Sequence, residues 1–333
     1  MIDLALPPYN CVGNTDPDTG IGMDCTQPLL DAIGAAMADN TRGGLVDLGG
    51  STGNMIRLPK GTVKVSPAHT IVLPYGVGLE GCNDYASALW LKPGTLAAAD
   101  HFIDIGDRTT HLAAFGGKLR NMTVFCPPDE AADSGTYAVY SNNNQDTAYT
   151  LDGLRIYGGQ RGGLKLESGY GGASIVRVKQ VTCHTFKAGS WCAYFNFGDG
   201  TMVEIDGMEP ATRRKSLDPN SPDFNKPMAG GQGMFIGNGR YDIKRVHYEQ
   251  CETCTQINQT IVGSVVEIYM HTRGELCGSQ ITVQNGSMLP GSGSSIGLMH
   301  VEGYPDQPGS HTVLDGRSGR PHIDGHIKER IVI

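Results

Sequence analysis

Leu151-Asp152-Gly153-Leu154-Arg155-Ile156 and Ile205-Asp206-Gly207-Met208-Glu209-Pro210 share one arrangement: an apolar residue is followed by two more, at the third and fifth places after it. The arrangement recurs as Leu119-Arg120-Asn121-Met122-Thr123-Val124, Val178-Lys179-Gln180-Val181-Thr182-Cys183 and Ile243-Lys244-Arg245-Val246-His247-Tyr248. Successive starts, at residues 119, 151, 178, 205 and 243, lie 32, 27, 27 and 38 residues apart. A period of roughly 20 to 50 residues marks a solenoid, because each unit can bury its apolar face only by stacking on its neighbours. The segments alternate apolar and polar residues and are bounded by Gly, Pro and Asn, so the units are strands and the solenoid is a parallel β-helix. The longest interval contains a Pro-rich stretch, 210–232, which reads as a loop inserted between coils.

Stacking brings equivalent residues of neighbouring coils to about 4.7–4.9 Å. The place after the first apolar residue holds Arg120, Asp152, Lys179, Asp206 and Lys244, charges that alternate in sign down the stack. Opposite charges side by side support this register, and they give Asp152 and Asp206 a structural task.

Composition agrees with an all-β chain. Of 333 residues 47 are Gly and 18 Pro, too many helix breakers for a mainly helical fold. One helix stands out, where Asp24-Cys25-Thr26 offers cap residues ahead of Leu29, Leu30, Ile33, Ala36 and Met37 at helical spacing, with Gly43-Gly44 to end it. Short alternating segments follow at Leu45–Leu48, Thr62–Val65, Thr70–Leu73 and Ala88–Leu91. A net charge of -8 opposes a surface built to neutralise phosphates, so no nucleic acid is expected as partner. Arg213-Arg214-Lys215 is short and reads as a solvated loop. No stretch approaches the ~20 apolar residues of a membrane span, and the N-terminus lacks the basic and apolar regions of a secretory signal. Nine cysteines is an odd number, and several sit in apolar alternating stretches, as Cys183 and Cys192 do, which points to buried free thiols. Cys251 and Cys254 have the spacing of half a zinc site, without the other two ligands.

The N-terminal part resembles the opening of pectate-lyase-like right-handed β-helix proteins, bacteriophage tailspikes above all. The matching residues run from Asn14-Thr15-Asp16 to Asp24 and Thr26 before the helix. They continue through Gly43-Gly44-Leu45-Val46-Asp47-Leu48 and through Ile56 to Ser66 with Pro59, Gly61, Val63 and Val65, and end on Leu73-Pro74, Gly76-Val77, Leu79 and Gly81. The resemblance covers about residues 10 to 95, and the later coils share only the pattern. It implies a single-stranded right-handed parallel β-helix with a short N-terminal capping helix, assembled as a homotrimer. The expected division is residues 1–42 for the N-terminal segment and helix, 43–304 for the β-helix with the loop 210–232, and 305–333 for a tail or trimer contact. It further implies a virion-exterior protein, assembled in the host cytoplasm with other virion proteins, whose ligand is a host-surface polysaccharide. Cleavage of that polysaccharide by hydrolysis or elimination is the alternative activity. A capsid decoration without activity is the third reading, prompted by the absence of a particle-binding domain before the helix.

Glycoside hydrolysis needs two carboxyl groups roughly 5 to 9.5 Å apart. The candidates are Glu204 with Asp206, and Glu249. The calcium carboxylates of pectate lyases and the paired aspartates of polygalacturonases have no counterpart, and Gly325-His326 stands without partners. In an extended chain His322, Asp324 and His326 share a face that suits a metal, against which stands a polar tail packed at a subunit boundary; no cofactor is expected. Carbohydrate binding needs aromatic rings beside hydrogen-bonding groups. Tyr137, Tyr140 and Tyr149 flank the polar run Ser141 to Gln145 that includes Asn143. Trp191, Tyr194, Phe195 and Phe197 cluster, and strict alternation puts Trp191 and Phe195 on one face with Tyr194 outside.

Overall fold

In a computed structural model of the chain, the residue that follows the charged place of each repeat has a left-handed backbone: φ is 54° at Asn121, 60° at Gly153, 51° at Gln180, 74° at Gly207 and 51° at Arg245. A strand sends alternate side chains to opposite faces. One left-handed residue bends the strand and shifts that alternation by one place, which is why the apolar residues fall at the third and fifth positions instead of the second and fourth. The residues so aligned are the core: Leu119, Met122, Val124, Leu151, Leu154, Ile156, Val178, Val181, Cys183, Ile205, Met208, Ile243, Val246 and Tyr248 are all fully buried or nearly so.

The structure describes residues 1–42, 54–74, 76–82, 86–106, 115–127, 137–143, 148–159, 161–168, 175–185, 187–198, 201–213, 215–216, 218–224 and 226–258. Beyond residue 258 it describes the strand backbones at 265–275, 279–283, 296–303, 313–315, 323–324 and 331–332. The expected strand Leu45–Leu48, with Gly43-Gly44, lies outside the described residues. The chain divides into two compact units, Met1–Gln160 and Arg161–Ile333.

The first unit contains β1 (Ile2–Asp3), β2 (Gly13–Asn14), α1 (Thr26–Arg42), β3 (Asn54–Arg57), β4 (Gly61–Val65), β5 (Ile71–Leu73), β6 (Val77–Glu80), β7 (Ser87–Leu91), β8 (Ile103–Ile105), β9 (Phe115–Cys126), β10 (Val139–Asn143) and β11 (Ala148–Gly158). All its strand pairs are parallel: β1, β3, β6, β9 and β11 follow one another in one series, β5, β8 and β10 in another. Strands β2, β4 and β7 form a third series that also ends on β9. The first half of β9 pairs with β6 (Leu79 opposite Leu119) and its second half with β7 (Leu89 opposite Val124). Two strands joined by a turn thus become one strand bent at Asn121. The apolar column Ile2, Ile56, Leu79, Leu119 and Leu151 runs through these rungs.

Helix α1 starts where Asp24 Oδ1 accepts from the Thr26 backbone N–H at 2.9 Å, an N-terminal cap of the expected kind. Leu29, Ala32, Ile33 and Ala36 form its buried face against β3 and β6. Leu30 and Met37, expected on the same stripe, are 40% and 44% exposed. Their positions lie outside the arc that the i, i+3, i+4, i+7 spacing from Leu29 covers.

The second unit contains β12 (Gly162–Ser168), β13 (Ile175–His184), β14 (Trp191–Asn196), β15 (Met202–Ala211), β16 (Gln232–Ile236), β17 (Arg240–Glu249), β18 (Thr253–Ile257), β19 (Val265–Glu275), β20 (Ser279–Val283), β21 (Ile296–Gly303), β22 (Val313–Asp315), β23 (Ile323–Asp324) and β24 (Ile331–Val332). Odd-numbered strands from β13 to β23 form one parallel series and even-numbered strands from β12 to β24 the other. Consecutive strands alternate between two sheets, and each pairs with the strand one coil later; this is the connectivity of a parallel β-helix. The column Val178, Ile205 and Ile243 continues to Ile268 and Leu298, two rungs further than the sequence pattern shows.

Pro210 and Ala211 still face Cys183 and His184 as part of β15, and Gln232 already faces Trp191 as part of β16. The excursion is therefore residues 212–231. Its limbs are tied by backbone bonds from Met228 N to Arg213 O (2.8 Å) and from Lys215 N to Lys226 O (2.9 Å), and its base by Thr212 N to Glu249 O (3.0 Å). The Asp223 carboxylate sits 3.0 Å from both Lys215 and Lys226.

Candidate functional site

The two sheets of the second unit turn chemically different faces outward. On the odd-numbered sheet the outward places are crowded with charge. Arg177 Nε lies 3.0 Å from Glu204, Lys244 Nζ 2.6 Å from Asp242, and Arg245 holds Asp206 with two bonds of 2.7 Å. Within each unit the expected ladder is present: Asp152 lies opposite Arg120 in the first, and Lys179, Asp206 and Lys244 occupy consecutive rungs of the second. Arg245, one place beyond the ladder, makes the bidentate contact because its left-handed backbone leaves its side chain beside the carboxylate one coil below. That hydrogen bonding holds the Asp206 carboxyl below the usual carboxylate range. A carboxylate so held is a poor proton donor, and Glu204 is tied to Arg177. Glu249 has His247 Nδ1 at 3.9 Å from Oε1.

The outward face of the even-numbered sheet is built from rings and neutral polar groups. One column reads Gly162, Trp191, Gln232, Thr253, and the next reads Lys165, Tyr194, Phe235, Gln256. Tyr194 and Phe235 stack with centroids 4.4 Å apart and planes 3° from parallel, and Trp191 meets Phe235 edge-on at 5.5 Å. Lys165 Nζ lies 5.0 Å from the centre of the Tyr194 ring and 2.8 Å from Glu167, so the two charges on this face cancel. The faces of Tyr194 are thereby covered by Phe235 and Lys165, and its hydroxyl edge is what it presents. Burial, then the charge of Glu167, push that hydroxyl above the ordinary phenol range, which keeps it a hydrogen-bond donor. Trp191, Phe235, Gln232, Thr253 and Gln256 are each half-buried.

Strict alternation fails within β14. Cys192 and Ala193 are both buried, so Trp191 joins Tyr194 on the outer side while Phe195 goes to the core. Phe235 was not visible as a site residue, because Gly233-Met234-Phe235-Ile236 is a continuous apolar run with no period to read. Tyr140 and Tyr149 are only 6% and 2% exposed; Tyr140 stacks on His101 at 3.8 Å, and burial raises the Tyr149 hydroxyl far above its ordinary range. Both serve the interior of the first unit. Tyr137 is half-buried beside His101 and Tyr140. Asn143 ends β10 and Asp324 ends β23, with only their backbones described; His322 and His326 lie outside the described residues.

Eight cysteines are described and all are free, seven of them buried. Burial pushes the thiols of Cys183, Cys192 and Cys251 well above their ordinary range, so they pack as small apolar groups. Among the described residues no three His, Cys, Asp or Glu side chains are placed to hold a metal ion, and no helix is long and apolar enough to cross a membrane.

No family model and no curated protein matches the chain. Solved structures with a similar backbone include a tailspike protein of the Acinetobacter baumannii bacteriophage Fri1, a capsular polysaccharide depolymerase (9% identity, TM-score 0.47, covering 89% of this chain and 55% of that one). The ORF18 protein of Geobacillus virus E2 is similar at 15% identity and TM-score 0.47, over 94% of this chain and 60% of its own. The A-module of the Azotobacter vinelandii mannuronan C-5 epimerase AlgE4 is similar at 10% identity and TM-score 0.41, over 100% of this chain and 98% of its own. The chain thus spans little more than half the length of the two viral proteins.

Proposed function

We propose that the chain is a tailspike-like protein of a virion exterior that binds a host-surface polysaccharide with the outward face of its even-numbered sheet. The observation that carries this reading is the contrast between the two faces of the second unit. One is laced with ion pairs that a sugar would have to displace. The other offers Trp191 and Phe235 beside the amides of Gln232 and Gln256 and the hydroxyls of Tyr194 and Thr253, the combination that recognises sugars. The virion setting, a homotrimer and a capping role for α1 rest on the resemblance of residues 10 to 95 to tailspike openings.

Titration of the full chain with purified host-surface polysaccharide tests the reading. Trp191→Ala is expected to weaken binding about tenfold or more, since an aromatic contact contributes roughly 0.5–1.5 kcal/mol beyond its buried area. Arg177→Ala, on the charged sheet, is expected to leave binding unchanged. Equal affinity of wild type and Trp191→Ala overturns the proposed face. A depolymerase is the second reading, favoured by Glu249 beside His247 and outside the Arg-held pairs; new reducing ends or unsaturated sugars that vanish in Glu249→Gln would establish it.

A further inference from the structure

Building on the polysaccharide reading, we infer that the first unit carries a second saccharide-binding face, formed by the Phe125 and Tyr157 rings on the outward side of β9 and β11. In the part of these strands that follows the left-handed bend, Met122, Val124 and Cys126 of β9 and Leu154 and Ile156 of β11 are buried. Alternation therefore turns Thr123, Phe125, Arg155 and Tyr157 outward. The coil register joins them to β7 in two columns: Ala88, Thr123 and Arg155 in one, Trp90, Phe125 and Tyr157 in the other. The Phe125 and Tyr157 rings meet edge to face, with centroids 6.3 Å apart. No carboxylate stands among these described places, whereas the corresponding parts of β15 and β17 in the second unit carry Glu209, His247 and Glu249.

The chain itself covers the first ring of the aromatic column. The turn 16–21 is closed by backbone bonds from Asp16 N to Ile21 O (2.9 Å) and from Gly20 N to Asp16 O (2.7 Å), and it packs on Trp90. Pro17 O accepts from the indole Nε1 at 3.0 Å, and Gly20 lies so close to the six-membered ring that a Cβ there would collide with it. An aliphatic group on the ring with an oxygen at its polar edge is also how a sugar meets an aromatic side chain. Trp90 is left 5% exposed, while Phe125 and Tyr157, one and two rungs further on, remain half-buried. Two half-buried rings offer roughly 150–250 Å² of open surface, since a whole aromatic side chain accounts for about that much. A stable contact with a second protein takes about 800 Å² from each partner, so the opening suits a sugar residue or two and is too small for a protein interface.

The chain has two tryptophans, Trp90 and Trp191, so the emission of Trp191→Ala comes from Trp90 alone, the rung neighbour of Phe125. The test titrates the full chain, by calorimetry and by fluorescence, with oligosaccharides prepared from purified host-surface polysaccharide. Wild type is expected to show two sites per chain, and Trp191→Ala a single weaker site whose filling changes the Trp90 emission saturably. Adding Phe125→Ala is expected to remove that site while the unliganded Trp90 emission stays as it was, because the turn on Trp90 is kept. Should that emission shift, Phe125→Leu, which keeps an apolar side chain and removes the ring, takes its place. One site per chain in wild type that Trp191→Ala abolishes, or a second site that survives loss of the Phe125 ring, overturns the second face and leaves the first standing. A light-scattering mass that falls in Phe125→Leu with the number of sugar sites unchanged assigns the rings to a contact between copies and overturns it as well. Wild type that binds none of the oligosaccharides removes the polysaccharide reading itself, and the second face with it.

Discussion

At the scale of the residue, the repeat depends on a position whose chemistry varies while its backbone does not. Asn121, Gly153, Gln180, Gly207 and Arg245 share a left-handed φ, although only Asn and Gly adopt it readily. The sequence shows the consequence, an apolar pattern at the third and fifth places, but not the cause, because Gln and Arg carry no signal for a left-handed bend. Gly207→Val is expected to lower stability by about 1–2 kcal/mol, the cost of a left-handed L-residue, and Gln180→Gly to leave it unchanged or raise it; denaturant midpoints measure both. Asp206 gives a second test. Its folded pKa lies below the unfolded value, so its contribution is complete above the unfolded pKa near 3.9 and is lost as pH falls through the folded one. Asp206→Asn is therefore expected to flatten the acid limb of a stability–pH curve and to leave its neutral-to-alkaline part parallel to wild type.

At the scale of the element, β14 shows what alternation can and cannot settle. Tyr194 outside and Phe195 inside follow from period two, but Trp191 parts from Phe195 because two consecutive residues, Cys192 and Ala193, are buried between the outward places. Phe195→Ala should cost about 3–5 kcal/mol, as expected for a large side chain removed from a packed core. Tyr194→Ala should cost clearly less, since its ring lies on the outer side of the sheet and loses mainly the stack on Phe235 and the contact with Lys165; thermal midpoints of the two variants give the comparison. The partnership of Tyr194 with Phe235 spans the 212–231 excursion, whose length sets the register and carries no periodic signal in the sequence. The Asp223 carboxylate adds a side-chain clasp to the backbone bonds between the hairpin's limbs, and Lys226 and Lys215 hold it below its ordinary range. The clasp is therefore complete at neutral pH and lost as acid protonates Asp223, so proteolytic nicking within 212–231 should accelerate at low pH in wild type and be equally fast at both pH values in Asp223→Asn.

At the scale of the whole molecule, coil follows coil, and each rung owes its burial to the rungs above and below it. The parallel β-helix was legible from five apolar starts, and within each unit the apolar column extends further, back to Ile2 in the first and on to Leu298 in the second. The added rungs were illegible because short strands such as β1 and β3 split the motif across turns, so that its spacing is lost. The face proposed to bind polysaccharide was less legible, since it is assembled from residues 165 to 256 that approach only through the coil register. Assembly as a homotrimer, which the tailspike resemblance implies, is expected to appear in light scattering as three times the 35.5 kDa chain mass. The most direct test of the central claim is a crystal structure of the protein with an oligosaccharide from the host-surface polysaccharide. The account predicts sugar rings against Trp191 and Phe235, with hydroxyls on Gln232 and Gln256; sugar bound along the charged outer face of the odd-numbered sheet would contradict it.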